Sequence, residues 1–443
     1  MLGEYRIEGR RASEIAASVE RAIGAGELLP GEVLPPLREL AVYLEVNPNT
    51  VASAYRTLRD RGVIETAGRR GSRVRRRPAT TSREALQVQV PPGVRDVSSG
   101  NPDPGLLPPL ERALAEVAAR YAKAPTLYGA PAVGVEIGEL ARAHFAADGV
   151  PEGPIAVTSG SLDAIERVLA AHLRPGDTVA VEDPGWGSLL DLIPALGLRV
   201  APVGVDDEGP LVGQVSRALD EGARALVVTD RAQNPTGAAL TERRATALRS
   251  LLAEYPDILL IEDDHGHAIV DLPLHPLAGV TRHWVLMRST AKAYGPDLRL
   301  AVLTGDEVTV DRVGGRQRLG PGWVSHLLQD TVAHLWRRQV VRPEEVAASY
   351  GRRREALTAA LGERGVAARG RSGMNVWVPV RDETGAVARL LHSGWAVAPG
   401  ARFRVDSPPG IRVTVSGLSE EEIETVADAV ASAIGPGEAR RYD

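Results

Sequence analysis

The sequence predicts an α/β protein in two parts: a small, basic, mostly helical N-terminal domain, then a larger domain on a largely parallel sheet. Three observations predict it. At 443 residues and 44% hydrophobic content the chain exceeds one small domain and has an ordinary globular composition. Its charge is uneven: residues 1–78 carry fourteen Arg against ten Asp and Glu, a net of +4, so the remainder carries −9 of the total −5. Beyond residue 96, short β-rich runs ("IAVTSG", "TVAVEDPG", "ALVVTD", "ILLIEDD", "HWVLMRST", "LAVLTG") end in small or polar residues, most of them separated by helix-length segments. That alternation marks a sheet with ligand groups at the carboxyl ends of its strands.

The N-terminal elements follow in order. In "SEIAASVERAIGAGEL", Ile15, Val19 and Ile23 recur every four residues, and glycines 24 and 26 end the helix. A second short helix puts Leu37, Leu40, Ala41 and Leu44 on one face. In "VNPNTVASAYRTLRDRGVI", Asn47 is a good N-cap and Pro48 suits the first helical position, with Val51, Ala54 and Leu58 turned inward. "VIETAGRRGSRVRRR" then reads as two short strands with an Arg/Gly tip. From Arg56 to Arg77 there are nine Arg and two acids, which calls for an anionic partner. Helix, helix, turn, helix and basic hairpin describe a winged helix-turn-helix, whose third helix would enter the major groove of double-stranded DNA.

Residues 5–77 resemble the DNA-binding domain of GntR-type regulators, through "PPLRELAVYLEVNPNTVASAYRTLRDRGVI" and the wing in one register. The resemblance implies DNA contacts by Arg38, Asn49 and Thr50, with Arg69, Arg70 and Ser72 in the wing. One departure is Pro48, where relatives usually carry Arg or another polar residue. Residues 78–95, polar and Pro-bearing without a period, read as a linker.

In the larger domain the strand ends carry the chemistry. "TSGSLDAIERVL" opens a helix on Ser-Gly-Ser, a place for a phosphate. "VEDPGWGS" presents Trp186 on a turn, "DRAQNPTG" places Asn234 before a Pro-Thr-Gly turn, and "LIEDDHG" ends in three acids. "MRSTAKAYGPDLR" holds Lys292, one of only two lysines beside Lys123; every other base is Arg. A lysine amine can lose its proton and form a Schiff base, which a guanidinium does not do. Together these groups call for a cofactor with a phosphate, an aldehyde, a flat ring and a basic ring nitrogen: pyridoxal 5′-phosphate, with Lys292 for the aldehyde, Asp263 for the ring nitrogen and Asn234 for the ring hydroxyl.

Residues 96–438 resemble a fold-type I, class I aminotransferase, with a smaller C-terminal α+β subdomain from about residue 345. Joined to a GntR-like reader, this resembles the MocR subfamily of transcriptional regulators. The resemblance implies that Tyr128 of "TLYGAP" reaches the phosphate in the partner subunit of a homodimer. It further implies a phosphate cup of Gly160, Ser161, Ser289 and Arg299, ring stacking by Trp186, and an α-carboxylate fork at Arg412. His265 stands where Tyr is common and either bonds the ring hydroxyl or fills space; Leu162 and Ser188 replace a usual Gln and a frequent Arg.

Two functions remain open at this stage. One is a cofactor-dependent regulator in which an amino compound, or pyridoxal phosphate itself, is sensed by imine exchange at Lys292 and alters operator binding. The other is a working aminotransferase with an appended reader. The absence of cysteine excludes disulfides, thiolate zinc sites and a cysteine nucleophile. No metal site is expected. With no signal-like or membrane-spanning run, a cytoplasmic protein is expected.

Overall fold

A computed structural model describes residues 7–25, 28, 31–60, 63–66, 71–74, 83–86 and 88–434. They fall into two compact units. One comprises residues up to 82 with the short segments 173–178 and 192–199; the other comprises the rest.

In the first unit, helices α1 (Ala12–Ala25), α2 (Leu37–Tyr43) and α3 (Pro48–Asp60) enclose a small core. Ile15, Val19 and Ala22 of α1 and Leu40 and Ala41 of α2 meet Val51, Ala54, Tyr55 and Leu58 of α3, all buried. Burial of each large aliphatic side chain contributes roughly 1.5–3 kcal/mol. Asn47 caps α3, its Oδ1 accepting the Asn49 N–H at 2.8 Å, and Pro48 supplies the first turn. Between α2 and α3 the chain turns through Glu45, whose φ of 54° lies in the left-handed region. The Tyr55 hydroxyl donates to the Pro35 carbonyl at 2.9 Å and ties α3 to the segment entering α2.

Strands β1 (Ile64–Thr66) and β2 (Ser72–Val74) pair antiparallel with Ile64 opposite Val74, and both side chains close the core. An ion pair between Arg73 Nε and Glu65 Oε1, 2.6 Å, fastens the outer face, and Val33 adds a bridge to Arg73. The wing tip, with Arg69 and Arg70, lies outside the described residues.

The second unit is built on a mixed sheet. In spatial order its strands are Ile155–Thr158, Ala301–Gly305, His283–Ser289, Leu259–Asp263, Ala223–Thr229, Thr178–Asp183, Arg199–Asp206 and Gly209–Pro210. His283–Ser289, Leu259–Asp263 and Ala223–Thr229 run parallel; Ala301–Gly305 runs against both of its neighbours. Buried on both faces, Leu259–Asp263 is apolar until its acidic end. Several ends therefore open on the same edge, delivering Asp263, Ser289 and the Thr158–Gly160 turn.

The C-terminal part is an antiparallel sheet of Asn375–Pro379, Gly410–Thr414 and Ala398–Pro399, in a core of Val376, Val378, Ile411, Val413, Leu390 and Val426. Arg95–Asp96 pairs in parallel with Trp395–Ala396, and Val97 enters the same core. Within the stretch read as a linker, Arg83–Leu86 forms one turn of 3-10 helix. Among the described residues no helix is long and apolar enough to cross a membrane, and no cluster of His, Cys, Asp and Glu is placed to hold a metal ion.

Candidate functional site

Lys292 sits on the one-turn helix Ala291–Tyr294 that follows the His283–Ser289 strand. Its Nζ donates to the Gly100 carbonyl at 2.7 Å. Burial, reinforced by the Arg412 guanidinium, pushes its pKa down to about 8, so the free amine is far more populated near neutral pH than in an ordinary lysine, though still the minor form. An amine held by one carbonyl and partly deprotonated is prepared to attack an aldehyde.

The Leu259–Asp263 strand supplies the next group. Burial pushes the Asp263 carboxyl up to about 7, and its Oδ1 accepts from the Ser161 hydroxyl at 3.1 Å. Its neighbour Asp264 has the opposite surroundings. Burial alone would raise it, but the guanidiniums of Arg231, bonded at 2.9 and 2.7 Å, and of Arg288, at 2.9 Å, hold it well below the usual carboxylate range. Arg288 is 1% exposed and also pairs with Asp148, so this network anchors the strand end from beneath. The backbone N–H of His265 donates to the Asp263 carbonyl at 2.8 Å. Burial, with Lys292 and Arg412 nearby, pushes the His265 imidazole down to about 3, which keeps it neutral.

Gly160, with φ 96°, precedes the helix Ser161–His172; a Cβ there would stand 3.3 Å from Arg299 Nη2. Arg299 occupies the left-handed region, φ 44°, and donates to the Ser159 carbonyl at 3.1 Å. Ser289 Oγ accepts the Ala291 N–H at 3.2 Å. A guanidinium, hydroxyls and a helix N-terminus with a bare glycine make a suitable anion cradle.

Beside these lies a cavity of about 180 Å³, lined by Lys292, His265, Trp186, Asn234 and Arg412 among others, with no acidic side chain in its wall. Arg412 Nη1 donates to Asn234 Oδ1 at 2.8 Å and Nη2 to the Ser98 carbonyl at 2.5 Å, while its guanidinium lies 4.8 Å from the Phe403 ring centre. Burial and the Arg402 charge push Arg412 down to about 9, against the pull of Asp96. Asn234 precedes a cis proline. Tyr128 is elsewhere: 93% exposed, edge-on to Trp323 with ring centres 5.6 Å apart.

The residues fit pyridoxal phosphate. Asp263 is a buried acid whose one bonded partner among the described residues is a hydroxyl, and a protonated ring nitrogen would give it a cation. The cradle of Gly160 and Arg299 suits a phosphate, and Lys292 suits an aldehyde. Sequence reading missed Arg83, Gly100, Arg402 and Phe403, which share the cavity wall. Gly100 carried a local signal. It precedes Asn-Pro, has φ 67°, and a Cβ there would press on Arg412 Nη2 at 2.9 Å. In the first unit, Arg38 and Asn49 are exposed, and Thr50 and Ser72 half-buried.

Comparisons with known proteins extend this description. The family "Aminotransferase class I and II" matches residues 94–430, and "Bacterial regulatory proteins, gntR family" matches residues 11–74. The vitamin B6 salvage pathway transcriptional repressor PtsJ of Salmonella typhimurium is 42% identical over 438 residues, covering 97% of this chain and 99% of that protein. The HTH-type pyridoxine biosynthesis transcriptional regulator PdxR of Corynebacterium glutamicum is 30% identical over 63% of this chain and 62% of its own length. Among solved structures, Thermus thermophilus aspartate aminotransferase with maleate superposes with a TM-score of 0.68 at 26% identity, covering 77% of this chain and 91% of that one.

Proposed function

The chain belongs to the class I and II aminotransferase family, in the MocR-type arrangement that sets a GntR-family DNA reader ahead of that domain. From this premise we propose a transcriptional regulator whose cofactor site senses an amino compound, or pyridoxal phosphate itself. The observation that carries the proposal is the Lys292 amine, lowered to about 8 in an acid-free cavity, in a chain that also holds a DNA reader. Similarity along almost the whole length to a vitamin B6 salvage repressor supports the same reading. The GntR-family reader supports a cytoplasmic location.

When bound, pyridoxal phosphate supplies an aldehyde for which amines compete. The residues of the chain then have distinct tasks. The Gly100 carbonyl holds and aims the Lys292 amine. Asp263 answers a ring-nitrogen proton, and His265, kept neutral by its burial, adds no charge to the cavity wall. Trp186 stacks on the ring, the Gly160, Ser161, Ser289 and Arg299 cradle takes the phosphate, and Arg412 receives a carboxylate. Lys292 and Asp263 would equally serve transamination, so turnover decides between sensor and enzyme.

In the reader, Arg38 and the start of α3 meet base edges, and the wing arginines 69 and 70 meet phosphates. An operator fragment and random DNA, titrated with and without pyridoxal phosphate and added amines, test this. Arg38→Ala should weaken operator binding more than random binding. Arg69→Ala with Arg70→Ala should weaken both and flatten the salt dependence. A DNA affinity indifferent to every addition would overturn the sensor.

Tyr128 supports a homodimer with composite sites. Its phenol lies almost wholly in solvent, outside its own cavity, where a second subunit's phosphate cradle could take it. Sedimentation of the cofactor-loaded protein should give twice the chain mass, about 94 kDa from the 47.0 kDa chain. A monomer with full cofactor occupancy would refute the composite site.

A further inference from the structure

A second cleft, of about 430 Å³, lies among the end of the Thr178–Asp183 strand, the Arg199–Asp206 strand and the 405–409 loop. It shares no wall residue with the Lys292 cavity. Its size falls within the range of roughly 300–1,000 Å³ typical of ligand pockets. The frame is rigid. Asp183, 3% exposed, holds the loop through four bonds. Its Oδ1 accepts from the Val405 N–H at 2.9 Å and the Ser407 hydroxyl at 2.8 Å, and its Oδ2 from the Asp406 and Ser407 N–H groups, both at 2.8 Å. The preceding 401–404 turn is fastened by Arg83. The Arg83 N–H donates to Asp191 Oδ2 at 2.6 Å, and Nη1 donates to the Ala401 and Arg404 carbonyls at 3.1 and 2.8 Å.

The wall chemistry is divided. Five prolines, with Val205 and Leu211, make the sides, and Trp377 closes the cleft. Trp377 is 4% exposed, and Gly400 and Gly410 leave room for its indole, since a Cβ at either would overlap the ring. Proline brings no N–H, so these surfaces answer an apolar body. The polar groups are donors for the most part. Among the described residues the Arg369 guanidinium makes one long bond, Nη1 to the Val205 carbonyl at 3.4 Å. Asp206, an acid within its electrostatic reach, is itself bonded by Arg244 at 2.7 Å. Gln214 lies across Gly204, where a Cβ would stand 3.0 Å from its Oε1. That oxygen accepts the Gly204 N–H at 2.6 Å, which leaves the Nε2 hydrogens for a ligand. The Asp183 carboxylate is saturated, and Asp406, exposed, is the other acid of the wall. We infer that this cleft binds a small aromatic monocarboxylate. Its rigid apolar body lies against the prolines and Trp377, where stiffness limits the freedom lost on binding. Its carboxylate takes charge-assisted bonds from Arg369 and Gln214, and Asp406 opposes a second anionic group. The inference does not depend on what occupies the Lys292 cavity.

The probe is 2-naphthoate, titrated calorimetrically into the full-length protein. Two controls divide its features: 2-naphthamide keeps the rings and loses the charge, and acetate keeps the charge and loses the rings. Naphthoate should bind about fivefold more tightly than naphthamide, the scale of one partly exposed charge-assisted contact. Acetate at equal concentration should not displace it, and naphthalene-2,6-dicarboxylate should bind more weakly. Arg369→Gln should erase the preference over naphthamide, and Gln214→Glu should weaken naphthoate by about fivefold. Both positions are exposed, so the fold should persist. Should a variant fold poorly, wild type still decides: hydrogen exchange of residues 203–207 and 405–407 should slow with naphthoate and not with acetate. Equal binding of naphthoate and naphthamide, displacement by equal acetate, a preference that survives Arg369→Gln, or exchange unchanged in both segments would each overturn the inference.

Discussion

Lys292→Ala is expected to abolish the borohydride-fixable attachment of pyridoxal phosphate to the chain and, with it, the response of DNA binding to added amines. Wild type should yield one labelled peptide containing Lys292; the variant should fall to background. Cofactor affinity should drop without vanishing, because the anion cradle, Trp186, Asn234 and Asp263 remain. Basal operator binding should persist, because no part of the α1–α3 core depends on Lys292. The same preparations separate sensor from enzyme. Wild type should convert amino acid to keto acid only slowly. Turnover on the order of 1 per second or faster, together with normal regulation by the alanine variant, would establish an aminotransferase instead.

Asp264→Asn should produce the largest loss of stability. The substitution preserves shape but leaves two buried guanidiniums, Arg231 and Arg288, without the carboxylate that joins them. Breaking a buried ion pair from one side typically costs about 3–5 kcal/mol. All six tryptophans lie beyond residue 185, so intrinsic fluorescence during urea unfolding follows the effector domain without interference from the reader. The pH dependence has a definite sign. The Asp264 carboxyl is held below its unfolded value, so its contribution is complete above about pH 4 and fades as the pH falls through the native value. The Asn variant should therefore differ most from wild type near neutral pH and progressively less in acid. An equal stability at pH 7 would show that Asp148 alone satisfies Arg288.

The parts legible in the sequence were those with a local period or a local rule. The α3 stripe, the Asn47 cap and the apolar runs ending in Asp263 and Ser289 needed nothing beyond their neighbours in sequence. The rarity of lysine singled out Lys292, which does line the cavity. What escaped was long-range. Nothing near Arg83 signals that it meets Asp191 and the 401–404 turn, and "SSGN" does not announce that the Gly100 carbonyl receives the Lys292 amine. The roles of "EDD" depend on partners brought by other strands. Alternation sends Asp263 and its neighbours to opposite faces, but only the fold places Arg231 and Arg288 under Asp264 and Ser161 against Asp263.

The strand Arg95–Asp96 has a consequence for the order in which the molecule is assembled. Its partner is Trp395–Ala396, and Arg95 also pairs with Glu422, 327 residues further along. Loop-closure entropy must be met before such contacts reward it, whereas the reader closes its core within a few tens of residues. At a synthesis rate of about 5–20 residues per second, Arg95 waits roughly 15–65 seconds for Glu422 to be made. During that interval the nascent chain already holds everything needed for a folded reader, while the C-terminal subdomain lacks its last strand and helix. The reader can therefore complete its own core on the ribosome well before the larger domain can complete its C-terminal sheet.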